Sequence, residues 1–494
     1  KSKQRHSNPE SFGSIQSGAG DFADDDPIQI IRGQEESKGE PTVGAVDIAA
    51  YGVFAFNYLQ LSPEKAQEIP CTINLESPAQ TSEASRSGVD IVCVIDVSGS
   101  MQGEKIQLVQ TTLNFMVERL SPADRICLIS FSNDATKISR LVQMSPKGKK
   151  QLKSMIPRLV ASGGTNIVGG LEYGLQALRQ RRTINQLSSI ILLSDGQDNN
   201  GTTVLQRAKA TMDSIVIRDD YSVHTFGYGH GHDSTLLNAL AEPKNGAFYY
   251  VKDEETIATA FANCLGELMS VVADQIEVKL MTQPTEIPFS LSKVYSNSGD
   301  TVFTLPPLMS GDKKEAVFLV QFDPTTQRVE SGHRIQPICF KLKYRIVSNG
   351  NIVEQEYPIW LRVENPEYEE EIVIDSDVLV NFYRMKAADI MKQASKLADR
   401  NQFEAAKELL TSGNKELLDS VVASHEIVQA LAADLLRSIN EYQNAHVWHN
   451  EGGKHQMKTR FRNHVDKRGM EMDYYQNSMQ KCLAIEAKFA IKKR

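Results

Sequence analysis

Asp96, Ser98 and Ser100 stand in the run Ile95-Asp96-Val97-Ser98-Gly99-Ser100, one carboxylate and two hydroxyls at alternate positions. The run ends the apolar stretch VDIVCVI and leads into a helical pattern. A third hydroxyl, Thr165, lies in Ser162-Gly163-Gly164-Thr165-Asn166, where paired glycines allow a sharp backbone approach. A second carboxylate, Asp195, ends another apolar stretch in LLSDGQD. All five side chains offer oxygen. Such a donor set suits a hard divalent cation, Mg²⁺ or Mn²⁺, and not zinc or copper.

Distant positions become one site only if the fold gathers them. The stretches VDIVCVI (89–95), RICLISF (125–131), SSIILLS (188–194) and YSVHTFG (221–227) are short and nearly continuous in apolar character. That pattern predicts strands of a parallel sheet buried on both faces. Between the first two, Ile106, Val109, Leu113, Met116, Val117 and Leu120 recur in steps of three and four, one helix face. A second helix carries Leu171, Leu175 and Leu178, and 254–273 reads as a long closing helix. The fold class expected is therefore α/β, a doubly wound and mostly parallel sheet. Ligands of such sheets bind beyond the carboxyl ends of the strands, where Asp96 and Asp195 fall.

The flanks follow other rules. Residues 1–42 are polar, include Asp24-Asp25-Asp26 and show no sustained apolar period, so a flexible arm is expected. YGVFAFNYLQL (51–61) reads as one strand, CTINLES follows Pro70, and 80–88 is a polar linker. Period-two alternation returns between 274 and 363, with SNGN (348–351) as a hairpin turn. An orphan strand at 51–61 would leave open edges. The expected organisation thus places 43–87 plus 274–364 in a β-sandwich into which 88–273 is inserted. A helical region, 365–494, follows.

Composition narrows the function classes. With 494 residues, 54 basic and 62 acidic side chains and a net charge of −8, nucleic acid is not an expected partner. No stretch reaches the roughly 18 apolar residues of a membrane helix, so a soluble multidomain protein is expected. Cys71, Cys93, Cys127, Cys264, Cys339 and Cys482 are widely spaced, without a C-x-x-C module. Free buried thiols and a cytoplasmic location are the corresponding expectation. The chain starts at Lys1, which leaves a trimmed N-terminus or a missing upstream domain open.

The three pieces D-x-S-x-S, Gly-rich Thr165 loop and Asp195, in that order, resemble the von Willebrand factor A domain and its metal-ion-dependent adhesion site (MIDAS). The resemblance covers about 89–273. It implies that Ser98, Ser100 and Thr165 touch a Mg²⁺ directly, and that Asp96 and Asp195 act largely through water when a ligand is bound. It implies a non-enzymatic protein–protein interaction module: an Asp or Glu of a partner completes the coordination, beside Ser98, Ser100, Gly164 and Thr165. Regulation through axial movement of the last helix of the domain is a further implication. The flanks are similar to intracellular plant and protist proteins that join the A domain to a companion (Vwaint) β domain and a helical tail. Plant members carry an N-terminal RING, and this chain has no such Cys/His pattern.

Two other functions remain open from the residues alone. One is a scaffold subunit of a large assembly, with the metal site vestigial or purely stabilising. The other is a secreted chain like the inter-α-inhibitor heavy chains. Enzymatic readings lack their parts, and no small-molecule substrate is expected. His425-Glu426 starts a zinc-protease motif, but Gln429 occupies the second histidine's place. Ser98 stands where an aspartyl phosphatase needs its acid/base carboxylate. His230 and His232 read as a solvated loop, and His446, His449, His455 and His464 as parts of a basic tail. That tail, 454–494, holds eleven Lys and Arg against four Asp and Glu.

Overall fold

The computed structural model describes residues 25–28, 48–79, 86–198, 203–229, 232–296 and 300–441, with isolated positions between 448 and 483. The chain opens with β1 (Ala49–Phe54), β2 (Tyr58–Gln60) and β3 (Gln67–Glu76). The inserted unit runs β4 (Val89–Asp96), α1 (Glu104–Arg119), β5 (Arg125–Phe131), β6 (Ala135–Lys137), β7 (Val142–Gln143), α2 (Pro146–Met155) and α3 (Ile167–Gln180). It continues through β8 (Leu187–Ser194), α4 (Val204–Ser214), β9 (Ser222–Tyr228), α5 (Ser234–Ala241), β10 (Phe248–Val251) and α6 (Glu254–Ser270). Then come β11 (Val271–Thr282), β12 (Phe289–Tyr295), β13 (Val302–Leu305), β14 (Leu308–Met309), β15 (Lys313–Phe322), β16 (His333–Ile346) and β17 (Ile352–Glu364). Helices α7 (Ser376–Asp399), α8 (Phe403–Leu418) and α9 (Glu426–Glu441) follow.

The inserted unit shows why continuous apolar runs make buried strands. Every residue of β4 and β8 is buried. Successive side chains of β4 alternate between two cores: Ile91, Cys93 and Ile95 join one with α1 and α6, Val92 and Val94 the other with α3. The sheet order is β10-β9-β8-β4-β5-β6, with β7 also on β5. Its main strands are parallel, and only β6 and β7 pair antiparallel. From β4 the chain goes first to β5 on one side and later to β8 on the other. Strand order therefore reverses between β4 and β8, the place where open α/β sheets form their crevice.

Outside this unit lie two further sheets, β1-β3-β15-β12 and β13-β11-β16-β17-β2, with β14 on β11. β3, before the insertion, pairs along its length with β15, after it, for example Ile73 with Ala316. One continuous core holds residues of both sheets, such as Ile73, Phe318, Phe340 and Leu361, together with Val378, Met391, Leu410 and Leu431 of the three helices.

Several expectations need correction. The run 51–61 is two strands: β1 belongs to the four-stranded sheet and β2 to the six-stranded one, because the chain crosses between sheets at Ala55–Asn57. The closing helix stops at Ser270, and Val271–Ala273 already belong to β11, which follows α6 with no loop. The β-branched Val271-Val272 favours extended backbone there. Residues 365–374 are non-helical. Of the expected arm, Asp25 and Asp26 are fastened: Asp26 Oδ1 pairs with Arg140, its Oδ2 accepts from the Gln143 amide, and its amide donates to the Leu141 carbonyl. Residues 1–24 and 29–42, most of 80–88, Cys482, and most of the basic tail lie outside the described residues. His464, assigned to that tail, is fully buried and 3.0 Å from Asp434.

Candidate functional site

Asp96 ends β4, and the next residues turn over the sheet rim. A 3₁₀ turn at Gly99–Met101 anchors on fully buried Met101, and Gly103, at φ +77°, admits the chain into α1. Two backbone bonds hold the Thr165 loop against this turn: Ser162 N donates to Val97 O at 2.7 Å, and Gly99 N to Gly163 O at 2.9 Å. Gly163 takes φ +83°, which an L side chain would resist. Gly164 N donates to Asn133 Oδ1 at 2.9 Å, and Asn166 caps α3 by accepting from Gly169 N. Asp195 follows β8, and Gly196, at φ +72°, turns the chain away.

These elements bring the carboxylates of Asp96 and Asp195 to the β4/β8 crevice, both fully buried. Asp96 Oδ1 accepts from Ser98 N at 2.9 Å, and its Oδ2 from Ser194 Oγ at 2.5 Å. Ser98 Oγ and Ser100 Oγ lie 3.0 Å apart. Ser98 and Thr165 are buried, whereas Ser100 is exposed, so the cluster reaches the surface at one point. Burial, with the charge of Asp195 as a smaller cause, pushes the Asp96 carboxyl up to about 6, against the hydrogen bonds from Ser194 and Ser98. The fold thus pays a cost to keep an anionic pair under a shell of hydroxyls.

One cation already answers part of that charge. Lys105, in the first turn of α1, places Nζ 2.8 Å from Asp195 Oδ2. The sequence reading missed Lys105, although it stands five residues after Ser100, where a helix side chain can reach back over the loop. It also missed Ser194 and Asp198, whose Oδ2 accepts from Ile167 N at 2.7 Å and ties the Asp195 loop to α3. His232 is half-buried rather than a free loop side chain: its ring stacks on Tyr250 at 4.6 Å and Phe248 at 5.5 Å, and burial lowers its pKa. The neighbouring Asp233 amide donates to Asp195 O at 2.8 Å. His230 lies outside the described residues.

Among the described residues no three His, Cys, Asp or Glu gather as a metal cluster. The site therefore depends on hydroxyls as well as carboxylates. Two buried carboxylates, one of them held high by burial, beside paired hydroxyls fit a hard cation that takes oxygen ligands.

A doubly wound sheet with an oxygen-lined rim at its switch point is the class of protein defined so far. Residues 90–263 match the von Willebrand factor type A domain family, and the chain carries that domain. It is 26% identical over 255 residues to the Arabidopsis thaliana E3 ubiquitin-protein ligase WAV3, spanning 50% of this chain and 32% of that one. It is 28% identical over 196 residues to mouse inter-alpha-trypsin inhibitor heavy chain H3, spanning 38% and 22% respectively. The chain spans less than half the length of these curated relatives. Among solved structures, a von Willebrand factor type A protein from Catenulispora acidiphila superposes with a TM-score of 0.52 and 15% identity, over 82% of this chain and 91% of that one. The ArnB paralog VWA2 from Sulfolobus acidocaldarius gives 0.50 and 14%, over 85% and 99%. Domains of this family are in general interaction modules rather than enzymes.

Proposed function

We propose that the domain binds a protein partner through a divalent cation, Mg²⁺ or Mn²⁺, held by Asp96, Ser98, Ser100, Thr165 and Asp195. The carrying observation is the pair of buried carboxylates beneath the Ser98–Ser100 hydroxyl pair, with Ser100 at the surface. A bound cation supplies Lewis acidity toward an incoming carboxylate. Few direct carboxylate ligands leave such an ion electrophilic, so an Asp or Glu of the partner is the group it attracts. This chain's residues do the rest. Ser98 N and Ser194 fix Asp96, and the Gly99–Gly163 and Ser162–Val97 backbone bonds hold the loop that carries Thr165 against the same turn. In this proposal Ser98, Ser100, Gly164 and Thr165 line the contact. No proton or group transfer is assigned to them, and the role is non-enzymatic.

The test is a pull-down with the full chain in Mg²⁺, in EDTA, and with Ser98→Ala plus Ser100→Ala. Partners offering an acidic residue are retained only by the wild type in Mg²⁺. Retention of every partner by the double variant and in EDTA refutes the proposal.

The Lys105–Asp195 pair supports a second reading, a scaffold that folds and assembles without metal. Metal-independent assembly with contacts mapping to the sandwich or helices would favour it. A cytoplasmic location is also proposed, supported by Cys71, Cys93 and Cys339, which are buried and form no disulfide among the described residues. No helix among the described residues is long and apolar enough to cross a membrane.

A further inference from the structure

The connection from β17 to α7 reads Glu367-Tyr368-Glu369-Glu370-Glu371-Ile372-Val373-Ile374-Asp375-Ser376-Asp377. It contains six carboxylates, no Lys or Arg, and three consecutive β-branched residues. Burial would be the ordinary fate of such a triplet, yet Ile372, Val373 and Ile374 are 39%, 62% and 39% exposed.

The segment is extended and fixed along one side only. Asn57 clamps Val373 twice: Asn57 N donates to Val373 O at 3.1 Å, and Val373 N to Asn57 Oδ1 at 2.9 Å. Asp375 N donates to Ala55 O at 2.8 Å, and Tyr58 Oη to Glu370 O. Alternation along a strand then turns the polar groups of Ile372 and Ile374 the other way. Among the described residues neither amide makes a hydrogen bond. The result is a short, pre-ordered strand edge beside exposed apolar side chains. Natural sheets normally blunt or cover such an edge.

Charge selects what could cover it. Glu369, Glu371 and Asp377 are exposed and form no ion pair among the described residues. We propose that 369–375 is a strand-addition motif for a protein with an open sheet edge, an adjoining apolar groove, and Lys or Arg at the groove's rim. β-Grasp modifiers of the small ubiquitin-like class have that chemistry. In this mode backbone bonds align the strand, Ile and Val side chains fill the groove, and acidic flanks meet its basic rim. The surface is independent of the cation site.

The experiment titrates the full chain into an isotope-labelled small ubiquitin-like modifier, followed by NMR shifts. Saturable shifts below about 1 mM, confined to the modifier's edge strand and basic groove, are expected. Ile372→Pro removes the outward amide without touching the Asn57–Val373 pair, and weakens binding at least tenfold. The double change Glu369→Gln, Glu371→Gln alters only exposed carboxylates that form no ion pair among the described residues. It weakens binding several-fold and flattens its dependence on salt. EDTA leaves binding unchanged, which separates this surface from the cation site. Absence of shifts at that concentration, undiminished binding by both variants, or loss in EDTA overturns the proposal.

Discussion

Asp96→Asn offers a direct measure of the charge stored beneath the rim. In the metal-free protein burial raises the Asp96 carboxyl from its ordinary 3.8 to about 6. At about 1.4 kcal/mol per pH unit, ionised Asp96 costs the fold roughly 3 kcal/mol at neutral pH. Asparagine removes that charge at nearly constant shape. Its amide oxygen can still accept from Ser98 N, but the Ser194 hydroxyl loses its acceptor, which costs about 1 kcal/mol. The variant should therefore be more stable than wild type by roughly 2 kcal/mol at pH 7 in EDTA, raising Tm by roughly 4–8 °C.

The pH dependence fixes the origin of the gain. A raised acid favours the fold in its protonated form, so this contribution is complete below about pH 4 and is lost as pH rises through about 6. The advantage of Asp96→Asn should accordingly shrink toward pH 4. Excess Mg²⁺ should reverse the ranking at pH 7, because a ligand at about 100 times its Kd adds roughly 2.7 kcal/mol to the wild type alone. Scanning calorimetry in EDTA and in Mg²⁺ across this range checks both statements. A variant less stable than wild type in EDTA at pH 7, or one that keeps the full Mg²⁺ response, would refute the reasoning.

Lys105→Met removes the cation already bound to Asp195. Calorimetric titration should show apparent Mg²⁺ affinity rising several-fold, since an arriving ion no longer competes with the ammonium, and a fall in affinity would assign Lys105 a supporting role instead. At the opposite end of the sheet, Asp90 is fully buried between Arg125 and Arg181, at 2.8 and 2.7 Å. Asp90→Ala leaves the buried Arg125 guanidinium without a carboxylate and Arg181 with Asp219 alone, and should lower unfolding free energy by about 3–5 kcal/mol in denaturant titrations, while the folded fraction keeps its metal affinity.

The sheet and its rim were legible because their signals are local or periodic. Strands buried on both faces cannot be polar, so β4, β5, β8 and β9 stand out as apolar runs, and the switch-point rule then aims Asp96 and Asp195 at one crevice. The short edge strands β6 and β7 were not legible, since two or three residues carry no period. Nor was the break at Ala55–Asn57: an aromatic run looks like one strand whichever sheets its halves join. Lys105 escaped because an ammonium 90 residues before Asp195 in the chain pairs with it only through the fold. His232 and His464 looked solvated among glycines and lysines, and tertiary packing on Tyr250 and Asp434 decided otherwise.

The passage from α6 into β11 has consequences for how the rim communicates. A helix that ends in a loop can slide without moving its successor, whereas here Ser270 closes α6 and Val271 opens β11. Four residues on, Asp274 binds Arg345 of β16 at 2.5 and 2.8 Å, and Arg345 also reaches the Gln186 carbonyl at the start of β8. Ser87, just before β4, donates to Val347 O. The inserted unit is thus tied to the sandwich at both chain crossings and by a guanidinium that touches the strand leading to Asp195. Any axial shift of α6 must stretch β11 against β16 or break the Asp274–Arg345 pair. Helix α6, the strand it runs into and the Asp274–Arg345 pair therefore form one mechanically continuous piece.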